Sequence, residues 1–140
     1  MQDIFLFAQH HATLSITLVL VLVLLVILEF IKLKQGAQQL SPALATQMIN
    51  HQNAIVLDIR NADAFASGHI VDAISIPFAE LENKYKKLDK SKAQPVLIVC
   101  ATGQESSRAA HLLMKNGFNT FTLAGGIRGW KEADMPLVKE

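Results

Sequence analysis

The 140-residue sequence predicts an α/β domain with a mostly parallel sheet, preceded by one N-terminal transmembrane helix. The first observation is a stretch from Ala12 to Leu28 that carries no charge and is apolar on every side. The second is that short apolar runs alternate with helical patterns through the rest of the chain. The third is that one run, Val96–Val99, has no polar alternation, as expected of a strand covered on both faces of a parallel sheet.

The composition excludes several classes of protein. A hydrophobic fraction of 51% with 18% charged residues argues against disorder. The net charge of +1 lacks the strong basic field that general nucleic-acid binding uses, so no nucleic-acid partner is expected. One cysteine excludes an internal disulfide framework and any multi-cysteine metal site, and the five histidines show no metal-ligand spacing. We therefore expect no metal.

The apolar stretch is long enough to cross a bilayer. With Glu29, Phe30 and Ile31 added it has 20 residues, or about 30 Å as a helix. A signal peptide is one alternative, but no basic segment precedes the stretch, and the small-residue site at Ala43 and Ala45 lies far beyond it. A buried core helix is another alternative, which so small a chain disfavours. We therefore predict a single N-terminal membrane anchor.

The charges that flank the anchor predict its orientation. Lys32 and Lys34 follow the apolar stretch, and no lysine or arginine precedes it. The positive-inside rule then places the N-terminus outside and the C-terminal domain in the cytoplasm. The predicted organisation is a short extracytoplasmic segment, a transmembrane helix, a linker and a folded domain, at residues 1–11, 12–31, 32–39 and 40–140 respectively.

The folded part is predicted to alternate helices and strands. Its first helix has Ser41 as N-cap and Pro42 at the first helical position, and it runs to about Asn50. A later helix extends from Ser106 to Asn116 and is capped by Gly117. Four apolar runs predict strands: Ala54–Ile59, Ala73–Ile76, Pro95–Val99 and Thr120–Leu123.

The segment that follows the third predicted strand carries the candidate site. The strand ends at Cys100, a loop with Gly103 follows, and a helix begins near Ser106. Ligands of parallel sheets bind beyond the carboxyl ends of strands, and loop amides with a helix N-terminus can bind an anion. Both features favour a thiolate, which suits a nucleophilic Cys100. A small buried hydrophobe at a strand end is the alternative that spacing alone leaves open.

Three stretches in combination carry a family resemblance. The first joins Val56–Arg60, Phe65, Gly68–Ile70 and Ala73–Pro77, the second is Cys100–Ser106, and the third joins Gly117–Phe118, Leu123–Ile127 and Gly129–Trp130. Together they resemble the single-domain rhodanese family of sulfurtransferases over nearly the whole folded part. With the predicted anchor, the layout is similar to that of membrane-anchored rhodanese-like proteins of the bacterial inner membrane, which implies that location.

The resemblance implies a five-stranded parallel sheet flanked by helices, and a sulfur-transfer chemistry. In this family a loop cysteine accepts a sulfane sulfur, becomes a persulfide and passes the sulfur to a nucleophile, without a further cofactor. Carried over, Cys100 is the catalytic residue. The persulfide then lies in a ring of backbone amides from Ala101, Thr102, Gly103, Gln104, Glu105 and Ser106. The implied partners are a small sulfur donor or a protein persulfide, together with the lipid bilayer.

Several charged positions bear on that chemistry. Family loops often carry a cation where this chain has Glu105, whose carboxylate would repel dianionic thiosulfate unless it only complements the helix dipole. Arg108, one turn into the helix, is the candidate for compensation. Asp58 and Arg60 share a face at a strand end and are predicted to brace the loop region as an ion pair. Ser106 stands where related phosphatases have arginine, so phosphatase activity is not expected.

Three further features are assigned structural roles. His69 follows a turn glycine and is predicted to support the fold by hydrogen bonding. Gly125–Gly129 are predicted to form a turn before a C-terminal helix that contains Trp130, because they lack the pattern of a phosphate loop. The basic run Lys84, Lys86, Lys87, Lys90 and Lys92 is typical of a solvated face, and next to an anchor it is also a candidate contact for anionic lipid.

Two functions therefore stay open from the sequence. The first is a membrane-anchored sulfurtransferase or persulfide carrier that uses Cys100. The second is a non-enzymatic module in which the fold and the anchor serve binding to other membrane proteins. The intact loop from Cys100 to Ser106 favours the enzyme, whereas Glu105 and the anchor favour the interaction module.

Overall fold

The computed structural model describes residues 11–34 and 36–140, with the backbone alone for residues 32–34. It divides into two compact units, Met1–Gln35 and Gly36–Glu140. Of the predicted extracytoplasmic segment 1–11, all but His11 lies outside the described residues. The two units are described separately below.

The N-terminal unit contains one long helix, α1 (Ala12–Lys34). Its stretch Ala12–Ile31 has 20 residues with a mean hydropathy of 3.0, and none of its apolar window is buried within the structure. The hydroxyl of Thr17 donates to the carbonyl of Thr13 (2.7 Å), which satisfies that polar group within the helix. By length and composition, α1 can cross a membrane.

The second unit is built on a five-stranded sheet in which every pairing is parallel. The strand order is β1–β5–β4–β2–β3, so β4 is central. The strands are β1 (Gln38–Leu40), β2 (Ile55–Asp58), β3 (Ile74–Ser75), β4 (Val96–Val99) and β5 (Thr120–Leu123). The predicted α/β class, with helices flanking a five-stranded parallel sheet, is confirmed.

Strand β1 was not among the four strands that apolar runs predicted. It begins inside the stretch that we predicted as a linker, residues 32–39, and it has only three residues. Two of them are exposed glutamines and only Leu40 is buried, because β1 lies at the edge of the sheet. A strand so short and polar has no periodic signal, and its pairing with β5 alone identifies it.

The helices begin and end largely where the sequence signals place them. The Ser41 hydroxyl accepts from the amide of Leu44 (3.4 Å) at the start of α2. Gly117 has a φ of 87° and donates to the carbonyl of Met114 (3.1 Å), which closes the end of α5. The helices are α2 (Pro42–Gln52), α3 (Ala62–Ser67), α4 (Phe78–Lys84), a 3₁₀ helix (Tyr85–Ser91), α5 (Ser106–Lys115) and α6 (Gly126–Glu132).

The central strand divides the core into two layers. Val96, Ile98 and Cys100 belong to one apolar cluster, whereas Leu97 and Val99 belong to the other. This alternation follows from the two-residue period of a strand, and all four residues of β4 are buried because both faces are covered. Cys100 thus lies on the sheet face that α4 and α5 cover, at the carboxyl end of β4.

Candidate active site

The cysteine loop turns back on its own sulfur. Cys100 is 2% exposed, and the amide of Gly103 donates to its Sγ with an N–S distance of 2.9 Å. Gly103 has a φ of 92°, a conformation that side chains with a Cβ rarely adopt, so glycine permits this turn. Of the six loop amides that the resemblance implied around the sulfur, the Gly103 amide makes this bond.

The far end of the loop holds one buried and one exposed polar residue. Ser106 opens α5 with 0% exposure, and its hydroxyl has no hydrogen-bond partner among the described residues. Glu105 is exposed and occupies the N-cap position of α5, where its side chain makes no capping hydrogen bond. Its carboxylate therefore stands in solvent beside the loop.

The first residues of α6 support the cysteine loop. The amides of Ile127 and Arg128, at the start of α6, donate to the carbonyls of Cys100 (2.9 Å) and Ala101 (3.1 Å). Gly126 has a φ of 58°, and a Cβ at this position would lie 2.3 Å from the Cys100 carbonyl oxygen. Only glycine lets the two segments approach this closely.

The sequence predicts Gly125–Gly129 to form a turn before the last helix. The structure begins α6 at Gly126, so most of this segment is helical, and the segment holds the cysteine loop in place. Two adjacent glycines directly after a buried strand are the sequence signal for such a close approach of two backbones.

The ion pair predicted between Asp58 and Arg60 is present. Asp58 is 1% exposed, and Arg60 Nη2 lies 2.7 Å from its Oδ2, while Arg60 Nε lies 3.0 Å from Oδ1. The same Nη2 donates to the carbonyl of Gly68 (2.7 Å). The guanidinium therefore joins the end of β2 to the residue that follows α3, with a two-pronged geometry that arginine alone provides.

His69 supports the fold, as predicted. Its ring stacks on Phe65 with centroids 3.8 Å apart, and its Nδ1 lies 2.9 Å from the Phe65 carbonyl oxygen. Its backbone exchanges two hydrogen bonds with Val138, of 2.9 and 2.8 Å. His69 thereby fixes the C-terminal segment of the chain to the turn after α3.

A cavity of about 400 Å³ opens beside the cysteine loop. The cavity is lined by two residues of the loop, Ala101 and Thr102, and by Arg60. Its other lining residues belong to α6 and include Arg128, Lys131 and Glu132. Arg60 is already neutralised by Asp58, and Arg128 lies 3.0 Å from Glu132 in an exposed pair that contributes little. Lys131 has no carboxylate partner within the described part of the chain.

The positive charge beside the loop therefore comes from residues of α6. The sequence predicted this helix but gave no signal that its charges lie beside the cysteine loop. Glu105 does not line this cavity. Arg108, the predicted compensation for Glu105, does not line it either: its guanidinium lies 5.8 Å from the centroid of the Phe78 ring and borders a different groove. Apart from Arg60, which is paired with Asp58, the basic residues that line the cavity are Arg128 and Lys131.

Comparisons with known proteins agree with this architecture. Residues 41–133 match the family model of the rhodanese-like domain. The chain is 34% identical to YibN of Escherichia coli strain K12 over 141 residues, which cover 99% of each protein. It is 32% identical over 95 residues to the thiosulfate sulfurtransferase GlpE of Coxiella burnetii, covering 67% of this chain and 87% of GlpE.

The solved structures show the same fold. A rhodanese-related protein from Thermoplasma volcanium superposes with a TM-score of 0.68 at 31% identity, covering 74% of this chain and 99% of its own. A thiosulfate sulfurtransferase from Pseudomonas aeruginosa superposes with a TM-score of 0.66 at 21% identity, which is a likeness of fold alone. The apolar N-terminal helix is followed by one rhodanese-like domain. The chain therefore belongs to the rhodanese family, which is a sulfurtransferase-type family.

Proposed function

We propose that this protein is a membrane-anchored rhodanese-type sulfurtransferase or persulfide carrier that accepts a sulfane sulfur on Cys100. The observation that carries the proposal is the Gly103 amide, 2.9 Å from Sγ at the carboxyl end of the central strand. An amide aimed at the sulfur stabilises negative charge there, in a thiolate and in a persulfide alike.

The transfer has two steps. The Cys100 thiolate attacks the outer sulfur of a donor such as thiosulfate, so that a new S–S bond forms as the donor's own S–S bond breaks and sulfite leaves with the electron pair. A nucleophile such as cyanide then attacks the terminal sulfur of the persulfide. The second S–S bond breaks, thiocyanate leaves, and the thiolate is regenerated. Each step conserves charge and needs no external oxidant or reductant.

Residues of α6 support this chemistry by holding the cysteine loop in place and by adding positive charge beside it. The amides of Ile127 and Arg128 hold the carbonyls of Cys100 and Ala101, which fixes the loop before the donor arrives. A rigid loop keeps its amide dipoles oriented and avoids the cost of ordering them during the reaction. Lys131 offers a positive charge at the cavity beside the loop, which favours anionic donors.

The anchor forms the second half of the proposal. We infer that α1 spans the bacterial inner membrane, with the N-terminus outside and the rhodanese domain in the cytoplasm. The apolar surface of Ala12–Ile31 supports the span, and the lysines that follow this stretch, Lys32 and Lys34, support the orientation. The sulfur donor or acceptor would then be a small cytoplasmic molecule or a protein persulfide that reaches the membrane surface.

Mass spectrometry of the intact protein tests the sulfur chemistry. After exposure to thiosulfate, and separately to a protein persulfide, we expect a gain of one sulfur atom that maps to Cys100 and is lost on addition of cyanide. Cys100→Ser, which is close in size, should fold normally and gain nothing. Absence of any sulfur gain from either donor, in a protein with an intact fold, would overturn the proposed enzyme.

One observation favours the second candidate, a non-enzymatic interaction module. Cys100 is 2% exposed, so a donor reaches Sγ only through the opening of its loop. The same experiment separates the two candidates, because an interaction module should retain a free thiol after both treatments. Its partners would be other membrane proteins, and Cys100→Ser should leave their binding unchanged.

A further inference from the structure

A groove of about 1080 Å³ lies on the domain, and along α5 its lining begins at Ser107, the residue after the cysteine loop. One wall is the end of α4 and the start of the 3₁₀ helix, and the other wall is α5 along most of its length. The groove shares no lining residue with the cavity beside Cys100. It is therefore a different cavity from the one beside Cys100, and the proposed sulfur transfer does not use it.

The groove carries positive charge that the domain leaves unpaired. Lys86, Arg108 and Lys115 all line it, and Glu82 is the one carboxylate of its lining. None of these three cations has a salt bridge within residues 11–34 and 36–140. By contrast, Lys84 and Lys92 of the same basic run are paired with Glu80 and Asp89. Three cations against one carboxylate give the groove a net positive charge, which favours an anionic ligand.

The length of the chain limits how far Gly36, one residue of the groove lining, can lie from the end of the apolar span. Gly36 lines the groove, and the apolar span ends at Ile31. Three of the five intervening steps belong to α1, which rises about 1.5 Å per residue, and the other two advance at most about 3.6 Å each, so Gly36 lies no more than about 12 Å from Ile31. That distance is within the headgroup layer and the Debye length beyond it, where anionic lipids attract lysine and arginine.

We propose that this groove binds the phosphate groups of anionic phospholipids in the membrane that holds α1. Guanidinium and ammonium groups are the usual ligands of phosphodiesters, and Lys86, Arg108 and Lys115 supply both kinds. An acidic protein would meet the same charges. Lipid is favoured because the anchor keeps headgroups at a high effective concentration, so that weak individual contacts suffice. The proposal rests on the proposed anchoring and is independent of sulfur transfer.

Lysine footprinting of the full chain in lipid nanodiscs tests it. Acetylation rates are measured by mass spectrometry in discs of phosphatidylcholine alone and in discs with about one-third phosphatidylglycerol, a fraction that gives a strongly negative surface. We expect Lys86 and Lys115 to be acetylated at least threefold more slowly in the anionic discs. The exposed Lys139, which lies outside the groove, is the internal control and should change little. High salt should remove the protection.

A charge reversal shows whether the groove acts as one site. Lys86→Glu should return the acetylation rate of Lys115 in anionic discs to its value in neutral discs, whereas Lys139→Glu should not. Both variants should retain the sulfur-transfer rate of the parent, so a failed anchor or lipid contact is distinguishable from a failed enzyme.

Two outcomes would overturn the proposal. Equal rates at Lys86 and Lys115 in the two kinds of disc would show that anionic lipid does not enter the groove. Protection in native membranes but not in anionic discs would assign the groove to an acidic protein instead. In both cases the rate at Lys139 and the circular dichroism spectrum verify that the domain is folded.

Discussion

At the scale of single residues, the geometry of the cysteine loop depends most directly on Gly126. We predict that Gly126→Ala lowers the rate of sulfur transfer by at least tenfold, because its Cβ would lie 2.3 Å from the Cys100 carbonyl oxygen and displace the loop. The matched control is Gly117→Ala, which shares a positive φ but has no atom within 4 Å of the added Cβ.

Both glycine variants should lose stability, since alanine is strained by about 1 kcal/mol or more in this conformation. Urea denaturation measures that loss, and the cyanide assay measures transfer. Gly117→Ala should retain the parental rate. Equal rates in the two variants would show that contact between α6 and the cysteine loop does not shape the active site.

Charge at the cavity is the second residue-scale property. We predict that Lys131→Gln raises the KM for thiosulfate several-fold, because Lys131 lines the cavity beside the loop and has no described carboxylate partner. Glu105→Arg should lower that KM only slightly, since Glu105 lies outside the cavity lining. Both effects should shrink as salt rises.

Steady-state transfer to cyanide, at low and high salt, measures these constants. Lys115→Gln, on the separate groove, is the control and should match the parent. A larger response to Glu105→Arg than to Lys131→Gln would mean that the carboxylate faces the donor after all.

At the scale of elements, the ion pair of Asp58 and Arg60 connects β2 to the end of α3. We predict that Arg60→Met destabilises the domain by about 3–5 kcal/mol, because it leaves the buried Asp58 carboxylate unpaired. Arg128→Met is the control, since it removes an exposed pair that is worth at most about 1 kcal/mol. Urea midpoints give the comparison, and a similar small loss in both variants would contradict the structural role of the buried pair.

The elements also show what the sequence could and could not predict. The buried strand Val96–Val99 and the caps at Ser41 and Gly117 depend on local patterns, so they were predicted correctly. Strand β1 and the support given by Gly126 depend on partners far along the chain, with which they form hydrogen bonds or close contacts. The periodicity of apolar residues along the sequence carries no information about such pairings. Side-chain placement is equally non-local: the sequence offered Arg108 as a candidate to compensate for Glu105, but it could not show that the guanidinium lies over Phe78.

At the scale of the whole molecule, the proposed anchor makes a prediction about fractionation. The full chain should stay with membranes through high-salt and alkaline carbonate washes, because 20 apolar residues are not held by surface charge. A chain that lacks residues 1–35 should be released by the same washes. Protease added outside spheroplasts should leave the domain intact, and digestion there would reverse the proposed orientation.

The pairing of β1 with β5 has a consequence for the order of events during synthesis. Gln38 pairs with Phe121, so at about 5–20 residues per second the ribosome supplies the partner strand roughly 4 to 17 s after β1. Throughout that delay β1 is an unpaired strand, the kind of segment that promotes association between nascent chains. Its two exposed glutamines make it a poor template for such association. The polar composition of β1 is the reason that no apolar pattern predicted this strand. The same composition suits a strand that stays unpaired until β5 has been synthesised.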